Sequence, residues 1–153
     1  MKKVLSVLFV LAFALALVPP AAMAAEAPEL SAQSAVLAAV SDDGKYDIIL
    51  YEKNADEKLY PASLTKIMTA ILALENVEDL DGTKVALKQY IQDMLYGQNA
   101  SLGGILLGEE VSMRGLLYAS MLQSANEASL MIGDYLGDGS LTQFAEMMNC
   151  LPD

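Results

Sequence analysis

Histidine and tryptophan are absent from this 153-residue chain, and cysteine occurs once, at Cys150. Without histidine there is no Ser-His-Asp triad, no Cys-His pair and no zinc site built on imidazole. A single thiol makes neither an internal disulfide nor a thiolate metal cluster. Basic residues are few, 9 against 20 acidic, and the net charge of −11 at pH 7 is a poor start for binding a phosphate backbone. With seven tyrosines and no tryptophan, stacking platforms for single-stranded nucleic acid are scarce. Nucleic acid and metal are therefore not expected partners. The acidic residues read as a solvated face, since Asp79-Leu80-Asp81-Gly82 is too sparse for a calcium loop. Whatever chemistry occurs must use Ser, Thr, Lys, Tyr, Asp, Glu or Asn.

Part of the 54% hydrophobic content belongs to a targeting segment. Lys2 and Lys3 precede an apolar run, Val4 to Val18, broken only by Ser6. Pro19 and Pro20 stop a helix, and Ala22-Met23-Ala24 has the small-x-small cleavage pattern. Residues 1–24 thus read as a secretory signal peptide, leaving 25–153 as an exported chain. The alternative is an uncleaved anchor, against which the run falls short of the ~20 residues a spanning helix needs.

After a short polar lead, Ala35 to Val40 is an apolar run of strand length. Ser41 to Lys45 is turn chemistry, and Tyr46 to Glu52 resumes as a second strand, so a β-hairpin is expected. From Ser63 the period becomes helical, with Leu64, Ile67, Met68, Ile71, Leu72 and Leu74 as a stripe expected to be buried. Ser63 is a candidate N-cap after Pro61. Val85 to Gly104 shows no clean period. Val111 to Leu122 reads as a helix with Ser112 as candidate cap, and Ala128 to Leu136 as another, closed by Gly137. Ser140-Leu141-Thr142-Gln143 has the capping-box form and opens a last helix. The methionines and the seven tyrosines read as packing residues. Strands followed by helices give an α+β class.

Ser63-Leu64-Thr65-Lys66 places a hydroxyl and an amine one helical turn apart, about 300° around the axis, on adjacent faces. A neutral lysine at that spacing can take the serine proton, and N–H groups at a helix start can stabilise an oxyanion. The plainer reading is an N-cap serine followed by a solvated lysine. Against it stand the apolar neighbours Leu64, Ile67 and Met68 and the lack of histidine as a base. Ser124-Ala125-Asn126, at the step between two helices, supplies a second hydroxyl and an amide able to face the first helix. Its plainer reading is a loop with helix caps.

The segment Tyr51 to Ala70, containing Tyr60-Pro61-Ala62-Ser63-Leu64-Thr65-Lys66, resembles the active-site region of the serine-type D-alanyl-D-alanine carboxypeptidases, the low-molecular-mass penicillin-binding proteins. The likeness runs from about Ser34 to Asn149, and Leu117 to Met148 is similar to their second-motif region. S-x-x-K, S-D-N and K-T-G mark the wider penicillin-recognising group. Ala125 between Ser124 and Asn126 looks more like the carboxypeptidases than the class A β-lactamases. The resemblance implies the α+β penicillin-recognising fold, with Ser63 as acylated nucleophile, Lys66 as general base and Ser124 as proton relay to the leaving group. Asn126 would hold Lys66 and the substrate amide. It further implies removal of the terminal D-alanine from peptidoglycan stem peptides, inhibition by β-lactams, no cofactor and no metal, in the cell envelope.

No Lys-Thr-Gly follows the second motif, and Gly82-Thr83-Lys84 has the letters reversed in the wrong place. By the family pattern, strands beside the active site, one oxyanion donor, a β-rich domain and a membrane-anchoring tail would lie downstream. The expectation is an incomplete fold holding only the first strands, a truncated chain weakly folded and poorly active alone, with membrane association only through that downstream part. The rival readings are a class A-like β-lactamase and a non-catalytic envelope protein that binds peptidoglycan.

Overall fold

Runs rich in valine, isoleucine and leucine either side of a polar turn produce a hairpin in the computed structural model, which describes residues 29–42 and 46–150. Two units divide the chain, Met1–Lys58 and Leu59–Asp153. The signal-peptide reading of residues 1–24 and the tail 151–153 lie outside the described residues, as do 43–45 of the expected turn.

In the first unit, β1 (Ala35–Val40) pairs antiparallel with β2 (Tyr46–Lys53), with Ala35 opposite Lys53 and Val40 opposite Tyr46. The register shifts between Leu37 and Ala38 and again between Ala39 and Val40. Lys53 Nζ donates to the Leu30 carbonyl at 2.6 Å and Asn54 Nδ2 to that of Gln33 at 2.8 Å, tying the polar lead to the end of β2. Val36, Leu37, Ile48 and Leu50 are exposed. A two-stranded ribbon with apolar residues in water is marginal by itself.

The second unit opens with a 3-10 turn, Ala62–Leu64, running directly into α1 (Thr65–Asn76). Then follow β3 (Lys84–Ala86), α2 (Gln89–Leu95), β4 (Glu110–Ser112), α3 (Met113–Leu122), α4 (Asn126–Leu136) and α5 (Leu141–Asn149). β3 and β4 form a second antiparallel pair, Val85 opposite Val111. This corrects the reading of Val111 as helical: it is a strand residue, and α3 begins after Ser112, whose hydroxyl accepts the Gly115 N–H as expected of a cap. The Ser140 hydroxyl likewise accepts the Gln143 N–H. The Ser140 N–H donates to Gly137 instead of completing the reciprocal box.

Helix α4 is the centre of the unit, in contact with α1, α2, α3, α5 and β3. Its Ala128, Met131 and Ile132 meet Leu116 and Met113 of α3 and Ile91 of α2 in one apolar core. The face that α1 buries takes only part of the expected stripe, with Leu72 inside and Met68 half-buried. Lys66, Thr69, Leu72 and Ala73 are inside, while Leu64, Ile67, Ile71 and Leu74 are exposed. Apolar residues surround most of α1, so periodicity leaves the inward face open, and small side chains at Thr69 and Ala73 permit close approach. The tyrosines also depart from expectation: Tyr60, Tyr96, Tyr118 and Tyr135 are exposed, and of the methionines Met94 and Met121 are. Among the described residues no helix is long and apolar enough to cross a membrane.

Candidate active site

Ser63 lies within the 3-10 turn and makes no cap; α1 begins with no side-chain cap bond. The turn is entered through Pro61 and through Ala62 at φ 50°, a left-handed value that costs a non-glycine residue about 1–2 kcal/mol. Leu64 N–H closes the turn on the Pro61 carbonyl at 3.2 Å. This geometry releases the Ser63 hydroxyl from backbone duty.

Ser124 occupies the second such bend, at φ 55°. The Ala119 carbonyl accepts both the Gln123 N–H at 3.2 Å and the Ala125 N–H at 3.1 Å, so the chain folds over the end of α3. Ala125 is fully buried beneath it. Asn54 and Asp138 also have positive φ, but those residue types enter the region cheaply. The two costly bends, Ala62 and Ser124, flank the same pair of hydroxyls, and backbone strain of this kind clusters at functional sites.

The two turns bring their side chains together. Ser63 Oγ and Ser124 Oγ are 2.8 Å apart, and either can be the donor. Lys66 Nζ reaches Ser124 Oγ at 3.0 Å and Ser63 Oγ at 3.3 Å. Lys66 is 9% exposed, and no carboxylate pairs with it among the described residues. Leu64 and Ile67, its apolar neighbours in sequence, are not what buries it, since both point to solvent. Both partners of the amine are hydroxyls. The same arrangement therefore serves an ammonium donating to them and a neutral amine receiving a proton from one.

Asn126 opens α4 and lines the cleft with Ser63 and Lys66. Its backbone N–H donates to the Ser101 carbonyl at 2.9 Å, and Lys66 is bonded to the two serines rather than to the Asn126 amide. The cleft holds about 530 Å³. Besides Ser63, Lys66 and Asn126, its lining includes the apolar side chains of Leu95, Leu130, Phe144 and Met148. Among the described residues no group of three or more His, Cys, Asp or Glu converges as a metal site would require.

Sequence reasoning passed over the residues that brace this centre. Ser129 Oγ donates to the Ala125 carbonyl at 3.0 Å, so its proton is committed and the buried Ser120 hydroxyl must donate to Ser129 at 2.8 Å. Glu127, at the end of the polar step between two expected helices, is 3% exposed and accepts the N–H groups of Gly103 and Gly104. Asp134, also buried, receives Lys88 at 2.6 Å and the Tyr90 hydroxyl, joining α4 to the start of α2. Burial and the Asp134 hydrogen bond raise the Tyr90 phenol to about 12. A pair of glycines at 103–104 opposite an acid was the one sequence signal available, and it is weak without the fold.

Two serines and a buried lysine meeting across two turns are an arrangement of the serine–lysine type, carried on helix ends of an α+β unit. The family model described as D-alanyl-D-alanine carboxypeptidase, Peptidase_S11, matches residues 21–151, and the chain belongs to that family. It is 34% identical to D-alanyl-D-alanine carboxypeptidase DacF of Bacillus subtilis, covering 97% of this chain and 38% of that protein. D-alanyl-D-alanine carboxypeptidase DacC of Escherichia coli is 35% identical over 85% of this chain and 34% of its own length. The crystal structure of the Streptomyces K15 DD-transpeptidase superposes with a TM-score of 0.69 at 32% identity, over 82% of this chain and 48% of that one. The D-alanyl-D-alanine carboxypeptidase DacD from Francisella tularensis gives a TM-score of 0.67 at 28% identity, over 89% and 32%. The fold is thus that of the DD-peptidases, helix-rich here with two short two-stranded sheets among the described residues. The chain spans between 31% and 38% of the length of the curated relatives it matches.

Proposed function

We propose that this chain carries the acylation centre of a serine-type D-Ala-D-Ala carboxypeptidase. The observation that supports it most is the contact of Ser63, Lys66 and Ser124 through one three-way set of hydrogen bonds. In the reaction Ser63 Oγ attacks the carbonyl of the penultimate D-alanine, and its proton passes to the neutral Lys66 amine. The ammonium returns a proton to Ser124, whose own proton goes to the departing amine nitrogen. The C–N bond breaks, free D-alanine leaves, and an ester to Ser63 remains. Water then cleaves the ester and restores the hydroxyl. Asn126, lining the cleft beside them, holds the substrate amide.

The substrate is a peptidoglycan stem peptide, and β-lactams acylate the same serine, their strained amide standing in for the D-Ala-D-Ala bond. The enzyme acts in the cell envelope after export. Support for export is the Lys2-Lys3 start, the apolar run to Val18 and the Ala22-Met23-Ala24 site. The test is release of free D-alanine from an acylated peptide ending in D-Ala-D-Ala, by the full chain and by Ser63→Ala. Release that depends on Ser63 upholds the reading, and equal release from both chains, or none from either, refutes it. Amino-terminal sequencing of the secreted protein is expected to begin at Ala25, and a retained residue 1 contradicts export with cleavage.

A further inference from the structure

We infer that Glu127 is a positioning residue for the Ser124–Asn126 turn, acting through the segment Ser101–Gly104. Its consequence for acylation rests on the function proposed above. Glu127 makes no hydrogen bond to Ser63, Lys66 or Ser124. Its Oε1 accepts from Gly103 N–H at 2.6 Å and from Gly104 N–H at 3.0 Å. The segment so held presents the Ser101 carbonyl to the Asn126 N–H at 2.9 Å. Two successive residues of α4 therefore grip the same strap, one by its backbone and the other by its side chain.

The strap packs closely on the turn. A Cβ on Gly103 would lie 3.2 Å from Ala125 Cβ, and Gly104 bends at φ 82°, where glycine is the ready choice. Ser124 is held in a left-handed bend that serine does not favour, so the turn needs restraint on both sides. Upstream the restraint is Ala125 N–H on Ala119; downstream it is Asn126 N–H on Ser101. The downstream one is only as firm as the Glu127 clamp. One side-chain carbonyl-type oxygen has two lone pairs and can accept both N–H groups at once. Glu127 Oε2 is buried with no partner. An acid placed for the helix dipole alone would remain in water. Burial of this one, with an oxygen left unmatched, serves the strap.

The experiment compares the full chain with Glu127→Ala and Glu127→Gln by amide hydrogen exchange and by the rate of acylation with a fluorescent penicillin. Glutamine keeps the size and one oxygen acceptor for both glycine N–H groups. In Glu127→Ala, exchange at Gly103, Gly104 and Asn126 is expected to rise about tenfold or more while α3 keeps its protection. Acylation is expected to slow by about tenfold or more, since displacement of about 1 Å at a reacting group has effects of that order. Glu127→Gln is expected to restore both to within about threefold of the parent, because the acceptor rather than the charge holds the strap. Three results would each overturn the inference: unchanged exchange at those amides in Glu127→Ala; loss of protection spreading through α3, which is a general structural role; and a Gln variant as impaired as Ala. A parent that is never acylated defeats the proposed function instead, and the exchange measurements alone then decide the clamp.

Discussion

Replacing Gly133 by alanine sets helix propensity against packing, and the structure decides which wins. Gly133 lies within α4, where alanine is favoured over glycine by about 1 kcal/mol. A Cβ added there would sit 2.6 Å from Phe144 Cδ1, 3.0 Å from Cε1 and 3.2 Å from Cγ. Attractive carbon contacts begin near ~3.5 Å, so the ring must retreat by most of an ångström. Phe144 is buried on α5 and cannot swing into water without losing its own burial. Overpacking of this kind costs about 1–3 kcal/mol, which exceeds the propensity gain across most of its range. Gly133→Ala is therefore expected to lower stability by about 1 kcal/mol in urea denaturation followed by circular dichroism. The smaller side chain in Phe144→Leu leaves room for the methyl, so the double variant is expected to show a coupling of about 1 kcal/mol. Phe144 also lines the cleft that Lys66 lines, so its displacement alters that lining. A Gly133→Ala chain more stable than the parent by about 1 kcal/mol would mean that propensity alone governs the site and would refute the α4–α5 contact.

Other substitutions probe the anchors and the centre. Asp134→Ala removes the acceptor of Tyr90 and Lys88, and is expected to cost about 1.5–3 kcal/mol in urea denaturation, as for hydrogen bonds to a charged group. The loss stays at that level because Lys88 is 52% exposed and can rehydrate. Tyr90, raised from 10.0 to about 12, holds its proton more tightly folded than unfolded. Its contribution is therefore fully present below pH 10 and is lost as pH rises toward 12, a slope that Tyr90→Phe should flatten. Lys66→Ala is expected to slow acylation by about a hundredfold or more, the scale of a lost general base. Ser124→Ala removes the shared hydrogen-bond partner and should also slow it, with stopped-flow labelling as the measure; unchanged rates in both would exclude the proton route.

The hairpin is legible because two runs of strand length flank clear turn chemistry, and Ser112 and Ser140 mark their helix starts. The contact of Ser63, Lys66 and Ser124 was legible only as motif spacing. What joins the two turns is backbone strain at Ala62 and Ser124, residue types that carry no positive-φ signal. The inward face of α1 matches the expected stripe only at Leu72 and in part at Met68, because aliphatic residues surround the helix and size at Thr69 and Ala73 sets the packing. β3 and β4 escaped notice because each is three residues long and gains its pairing across the intervening helix. Glu127 carries no mark of burial in the sequence, because that burial depends on a loop more than twenty residues earlier in the chain.

The most direct test of the account is labelling of the full chain by a fluorescent penicillin beside the Ser63→Ala variant, with the labelled peptide located by mass spectrometry. The account predicts one covalent adduct per chain, carried by the peptide that contains Ser63 and absent from the variant. A folded parent chain that takes no label, or labelling that survives Ser63→Ala, would contradict it.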